Sequence, residues 1–465
     1  MKNLFMLVSL FLPPVAISAQ IISGGAGQSL VICNKTLEAW GNNSNGQLGN
    51  GTNINSNFPI QVNSLSDVTA GAAGVGFSIA LKTDGTVWTW GGNLYGMLGN
   101  GTNADSNIPI QVSFLTDITA VSGGSYCSLA LKNDGTVSVW GLNNWGQLGN
   151  GTNTNSNVPQ QVSSLTGVTA IAAGEGYSLA LKNDGTIWAW GWNGYGLLGN
   201  GTQNLTNSNI PMQVSSLTGI TAIAASQYYA LALKNDGTVW YWGSNLDSGQ
   251  NVIYSNSPLQ VSSLIGITAI AAGTTTALAV KNDGTIWAWG NNLGNGTNST
   301  YTSIVPVQVT SLTGITAIAG ADAYSLALKN DGTLWSWGIN NLGQLGNGTN
   351  IDSNIPVQVL GLCQSITSIN QIEEKEVAMN VFPNPTSRII TVNIIIPNAK
   401  AEFLLEVIDS FGKIVYSETI KEISLKLNKQ IDFNMLPKGN YFIELQSTST
   451  KFPLKKIEVK KIVLQ

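Results

Sequence analysis

Residues 171–191 run Ile171-Ala172-Ala173-Gly174-Glu175-Gly176-Tyr177-Ser178-Leu179-Ala180-Leu181-Lys182-Asn183-Asp184-Gly185-Thr186-Ile187-Trp188-Ala189-Trp190-Gly191. A Gly/Asn-rich stretch follows through Leu198-Gly199-Asn200-Gly201-Thr202, and then Pro211-Met212-Gln213-Val214. Alternating apolar residues broken by turn residues predict four short β-strands. Asn183-Asp184-Gly185 joins the second strand to the third as a hairpin, because glycine accepts the positive φ that such a turn requires. The Trp-Gly pair that ends the third strand recurs at Trp40, Trp90, Trp140, Trp190, Trp242, Trp289 and Trp337. Seven four-stranded units of about 48 residues predict an all-β, seven-bladed β-propeller, in which radial repetition leaves only short sheet edges. A solenoid of the same repeats is the competing arrangement.

Composition removes several function classes. The chain of 465 residues contains no histidine, so no His-based triad, general base or metal ligand set can exist in it. Up to the end of the repeats there is no arginine, and apart from Lys2 the lysines (Lys35, Lys82, Lys132, Lys182, Lys234, Lys281 and Lys329) occur once per unit. Nucleic-acid binding needs clustered cations, so no nucleic-acid partner is expected. The start, Met1-Lys2-Asn3, an apolar run from Leu4 to Leu12, and Ala16-Ile17-Ser18-Ala19, reads as a cleavable secretory signal over residues 1–19. A buried first element is the alternative. No stretch is long enough to span a membrane as a helix.

The run Gly174-x-x-Tyr177-Ser178-Leu179-Ala180-Leu181, with Trp190-Gly191-x-Asn193-x-x-Gly196-x-Leu198-Gly199, resembles the repeat of the regulator-of-chromosome-condensation family. That resemblance extends over residues 20–369 and implies a seven-bladed propeller. Where the family usually has histidine, this chain has Gln28, Phe77, Cys127, Tyr177, Tyr229, Thr276 and Tyr324. Nuclear members of the family are exchange factors for a small GTPase and touch chromatin; an exported, acidic, arginine-free ring is expected to do neither. Exported propellers of this repeat type include protein inhibitors of β-lactamase, an analogy that points to binding.

Past Ile369 the tryptophans stop and lysines become frequent. A charged linker (370–379) leads to a second domain (380–465) whose apolar runs, broken by Pro and Gly turns, predict a small β-sandwich. Val381-Phe382-Pro383-Asn384-Pro385-Thr386, Leu405 to Val415, Leu436-Pro437-Lys438-Gly439-Asn440-Tyr441-Phe442-Ile443 and the basic Lys455-Lys456-Ile457 resemble the C-terminal sorting domain, type A, of the type IX (Por) secretion system. The resemblance implies that the type IX machinery is a partner and that the product is secreted or held at the outer cell surface, reached through the periplasm.

Strand direction separates two faces of the ring. The loop between strands one and two and the Gly-x-Asn loop after strand three share one face, while the Asp-Gly turns and their lysines share the other. Repeated residues build the scaffold, so departures from the repeat are the candidates for function. Tyr95, Trp145, Trp192 and Tyr195 in the second loop, and Phe77, Tyr126, Tyr177 and Tyr228 in the first, are expected to form an aromatic ligand-binding face for an extracellular protein or glycan. The bland alternative is that these rings only cover the tops of their own blades. No cofactor or metal is expected, since the Asn/Asp-rich loops lack a calcium-loop pattern. The Asp-Gly aspartates and the Asn-Gly-Thr triplets at Asn50, Asn100, Asn150 and Asn347 read as turn residues. An enzyme would have to use Glu175 and Asp322, which share a loop column in units four and seven, as a glycan hydrolase pair. A purely structural surface component is the third reading.

Cys33 replaces the repeat's lysine in unit one, and Cys363 follows the last Gln358-Val359 strand on the same face of unit seven. Ring closure makes them plausible disulfide partners, leaving Cys127 free; two buried reduced thiols are the alternative.

Overall fold

The computed structural model describes residues 22–202, 205–244, 254–296 and 303–363, and in the C-terminal region 378–382, 389–395, 403–409, 413–420, 426–447 and 456–464. The expected leader and most of the expected linker lie outside them. The chain divides into two compact units, Met1–Ser365 and Ile366–Gln465.

The first unit is a ring of seven four-stranded antiparallel sheets, each built from four consecutive strands. In the fourth blade these are Val168–Ala173, Tyr177–Lys182, Ile187–Gly191 and Ser208–Gln213. The first strands face the axis and pack against one another round the ring, that of blade seven (Ile315–Gly320) closing on that of blade one (Ile22–Gly24). A solenoid is thereby excluded. The fourth strand of every blade is an outer edge, and each carries one proline (Pro59, Pro109, Pro159, Pro211, Pro258, Pro306, Pro356). Proline removes a backbone donor, which blunts an edge that would otherwise template pairing with another chain.

No hydrogen-bonded sheet crosses from one blade to the next, so side chains and a few loop backbone bonds must hold the ring together. The Trp-Gly tryptophans do this. Trp190 is buried, and its Nε1–H donates to the Gln147 carbonyl of the preceding unit at 2.8 Å. Trp90, Trp140, Trp242 and Trp337 make the same bond to Gln47, Met97, Leu197 and Asn292. Trp40 closes the circle onto Gln344 at 2.9 Å. The ring can approach so closely because the opposing residue is glycine: a Cβ on Gly149 would lie 2.7 Å from the Trp190 indole. The second tryptophan column behaves differently. Trp88 and Trp188 are only half-buried, with the amines of Lys82 and Lys182 standing 5.9 and 5.6 Å from their ring centroids as cation–π pairs.

The former histidine column forms an inner girdle. Tyr177 Oη donates to the Tyr229 carbonyl (2.7 Å), and Tyr229 Oη donates to the carbonyls of Gly273 (2.9 Å) and Thr276 (3.0 Å). Gln28 Nε2 donates to Gly74 and Phe77, and Tyr324 Oη to Gln28 across the closing seam. Burial pushes the Tyr177, Tyr229 and Tyr324 hydroxyls well above the usual tyrosine range. An outer girdle of asparagines repeats the device at the rim, with Asn107 donating to Asn53, Asn157 to Asn103, Asn209 to Asn153 and Asn57 to Asn350.

At the seam between blades seven and one, Cys33 and Cys363 form a disulfide with Cα atoms 5.2 Å apart. Unit one departs from the repeat twice to make room: Cys33 stands where the other units have lysine, and Glu38 where five of them have tryptophan. Glu38 Oε2 accepts a hydrogen bond from the Cys363 backbone N–H at 3.1 Å. Burial raises the Glu38 carboxyl above the ordinary range, against the lowering effect of that bond. A raised folded-state value favours the protonated acid, so its stabilising contribution is complete below the unfolded-state value and is lost as pH rises through the folded-state value. Glu38→Gln keeps the acceptor without the charge. It is expected to raise the denaturation midpoint modestly at pH 7 and to change it less in acid; a lower midpoint at neutral pH would contradict this account. Cys127 is buried and free, and burial pushes its thiol up to about 12, which leaves little thiolate to react.

The second unit has two sheets. One orders Ala378–Phe382, Ile389–Ile395 and Lys426–Asp432; the other orders Ile414–Ile420, Phe403–Asp409, Gly439–Ser447 and Lys456–Leu464. Buried Ile390, Val392 and Ile431 come from the first sheet, and Leu405, Val407, Tyr441 and Ile443 from the second. Phe433 joins them, edge-on to Tyr441 with ring centroids 5.6 Å apart.

Candidate functional site

Both loop sets emerge on one face of the ring. In the second loops of units one to four and seven a buried asparagine organises the chain: Asn143 Oδ1 accepts from Leu148 N, and Asn143 Nδ2 donates to the carbonyls of Thr152 and Thr154. The Asn-Gly-Thr triplets are turns, Asn150 Oδ1 accepting from both Thr152 N and its hydroxyl. On the opposite face the Asp-Gly aspartates act in the same way, Asp184 accepting from Thr186, whose bonds hold the carboxyl below its usual range.

The first loops surround the mouth of the central channel, a cavity of about 270 Å³. They are laced to one another by backbone bonds between neighbouring units: Val75 N to Gly124 O, Ser125 N to Gly174 O, Glu175 N to Ser226 O, Thr274 N to Ala321 O and Asp322 N to Gly25 O. Glycine permits this lacing, since a Cβ on Gly174 would lie 2.2 Å from the Tyr177 ring and 2.7 Å from the Ser226 carbonyl. From unit three onward one column of polar residues, Ser125, Glu175, Gln227, Thr274 and Asp322, lines the mouth, with Tyr126 beside Ser125. Burial first, and then the charge of Asp322, raise the Glu175 carboxyl above its ordinary range, against the lowering effect of the Gln227 side chain. The two acids therefore share the cavity, and the charge of Asp322 reaches Glu175.

Six of the eight aromatic candidates come together on this face. Trp145, Trp192, Tyr195 and Tyr228 form a continuous row across units three to five, with successive centroids 6.0, 5.4 and 5.6 Å apart. The last two contacts are edge-to-face. Tyr95 and Tyr126 form a separate edge-to-face pair at 5.5 Å. All six are half-buried. Gly176 seats the row: it lies at φ +72°, and a Cβ there would stand 2.7 Å from the Trp145 ring. Tyr228 lies close enough to Glu175 for burial and that charge to raise its hydroxyl above the ordinary range.

Phe77 and Tyr177 do not belong to the face. Both are fully buried, because each is the first residue of a second strand and points between blades. Tyr126 and Tyr228 stand one residue earlier, in the column of Gly76 and Gly176, and so remain on the loop. One residue that the aromatic pattern overlooked joins the site. Gln227 occupies the same column as Glu175 and Asp322, a signal that was available in the repeat.

The model of the RCC1-like domain matches residues 9–252, more than half of the chain. The chain belongs to the RCC1-like family. Models of the regulator of chromosome condensation repeat match residues 267–296, 315–344 and 331–372 of this RCC1-like chain, and a secretion system C-terminal sorting domain matches 380–462. That domain marks the RCC1-like propeller for the type IX machinery and for secretion to the outer cell surface or extracellular space. Among the described residues no helix is long and apolar enough to cross a membrane. Among solved structures, human WBSCR16 is 24% identical with a TM-score of 0.63, over 70% of this chain and 93% of that one. Prp20p of Saccharomyces cerevisiae, whose structure was described with its binding to Gsp1p and histones, is 20% identical with a TM-score of 0.62, over 72% and 88%. Yeast RCC1 (Prp20) bound to Kap60 is 18% identical with a TM-score of 0.63, over 78% and 92%. These likenesses establish the fold. No curated protein sequence matches the chain.

Proposed function

We propose that this exported propeller is a non-catalytic binding module that captures an extracellular protein or glycan through its aromatic loop face. The row Trp145–Trp192–Tyr195–Tyr228 carries the reading: these rings depart from the repeat, and each keeps part of its surface in solvent. Trp192 and Tyr195 also pack against the blade-four core, which fixes their positions before a ligand arrives. Large rings held in place supply contact area at low entropic cost. The test is a protein and glycan array probed with the full chain and with the Trp145→Ala/Tyr195→Ala double variant. Captured ligands should bind the variant at least about 2 kcal/mol more weakly. Unchanged affinity in a folded variant would place the site elsewhere.

The shared cavity of Glu175 and Asp322 supports a second reading, hydrolysis of a glycan, with the raised Glu175 carboxyl as proton donor. Scored for released reducing ends, the same array decides it. Turnover by the native chain that is lost in Glu175→Gln would establish hydrolysis.

A further inference from the structure

We infer that the ligand of this face is a neutral oligosaccharide, stacked on the row Trp145–Trp192–Tyr195–Tyr228 with its hydroxyl edge turned to the channel mouth. The inference rests on the aromatic-face reading above and narrows it to one ligand chemistry.

Charge makes the first cut. Every lysine of the ring stands at an Asp-Gly turn or its equivalent on the opposite face, where four of them pair with the turn aspartate (Lys82–Asp84, Lys234–Asp236, Lys281–Asp283 and Lys329–Asp331). The loop face carries Asp105, Glu175, Asp322 and Asp352 and, among the described residues, no cation. An anionic ligand, such as a sulfated or uronic acid-rich glycan, a phosphate or a nucleic acid, would meet only like charge there.

The groups beside the row make the second cut. A sugar ring presents a C–H face, which an aromatic face accepts, and an edge of hydroxyls that both donate and accept. Glu175 and Gln227 stand beside Tyr228, with Ser125 and Thr274 further round the mouth. Planar carboxylate and amide groups offer adjacent polar atoms to adjacent hydroxyls. The cavity of about 270 Å³ is smaller than the pockets that enclose drug-sized ligands, so it suits one end of a chain lying across the rings.

The third cut concerns what a protein partner needs. Protein interfaces have an apolar core rich in aromatic and aliphatic contact. The strongly exposed aliphatic residues of the loop face, Ile54, Leu94 and Ile351, belong to units one, two and seven. In the sector of the row, the described surface is mostly rings and polar residues, and its aliphatic part is limited to half-buried Leu205 and to Ile210 on the edge strand of blade four.

The experiment uses the full chain in native, Trp192→Ala and Gln227→Ala forms, each checked for an unchanged thermal midpoint. The probes are neutral hexasaccharides of glucose, mannose and N-acetylglucosamine in α- and β-linkage, titrated calorimetrically. In parallel, a bacterial-surface extract is offered after protease digestion or after periodate oxidation of its sugars. At least one hexasaccharide should bind, with little salt dependence, and Trp192→Ala and Gln227→Ala should each weaken it tenfold or more. Capture from the extract should survive protease and be lost after periodate. Capture that survives periodate, is lost after protease and still requires Trp192 would overturn the glycan assignment while leaving the aromatic face standing. Capture indifferent to Trp192 would overturn both.

Discussion

Removing the Cys33–Cys363 bond is expected to cost the propeller about 5 kcal/mol in the chain-entropy description, the largest stability effect of any single bond in the molecule. The reason lies in the way the ring closes. Each blade is made of four consecutive strands, so no strand from one end of the ring completes a sheet at the other. The seam is held instead by side-chain bonds such as Trp40 to Gln344 and Tyr324 to Gln28, by loop backbone bonds such as Asp322 N to Gly25 O, and by the disulfide, which joins residues 330 positions apart. Cross-linking so long a loop removes much of the freedom of the unfolded chain. Urea denaturation of the native protein, Cys33→Ser and Cys363→Ser should show the loss in both variants. Peptide mapping without reduction should recover the Cys33–Cys363 link, with Cys127 alkylated only after unfolding. Three free thiols in the exported protein, or unchanged midpoints in both variants, would refute the clasp.

Truncation after Gln371 is expected to abolish release while leaving the propeller folded in the periplasm of a host with a type IX system. The sorting domain matches 380–462, beyond the cut, whereas the blades and their cores lie within Met1–Ser365, a compact unit in itself. Cell fractionation with immunodetection measures the first outcome, and near-ultraviolet circular dichroism, dominated by the buried tryptophans, measures the second. Truncated product in the medium would remove the export role of the domain.

Much of the architecture was readable because its signals are local. The Asn-Asp-Gly hairpin, the period-2 strands and the Trp-Gly spacing each need only a few neighbouring residues to be recognised, and repetition made them unmistakable. The candidate face was partly readable for the same reason: departures from a repeat stand out, and Trp145, Trp192, Tyr195 and Tyr228 are departures. Phe77 and Tyr177 show where that logic stops. They differ from the half-exposed Tyr126 and Tyr228 by a single position, and on a strand successive side chains point to opposite sides, so one residue separates a ring on the loop from a ring sealed between blades.

The sequence alone thus determined the number of blades, the two faces and the order of domains, since these follow from period, turn residues and strand direction. Tertiary structure alone decided which aromatic rings keep contact with solvent and which become clamps between units. Those outcomes depend on the distance between neighbouring blades, which the Trp-to-carbonyl bonds and their opposing glycines set, and no local stretch of chain encodes that distance.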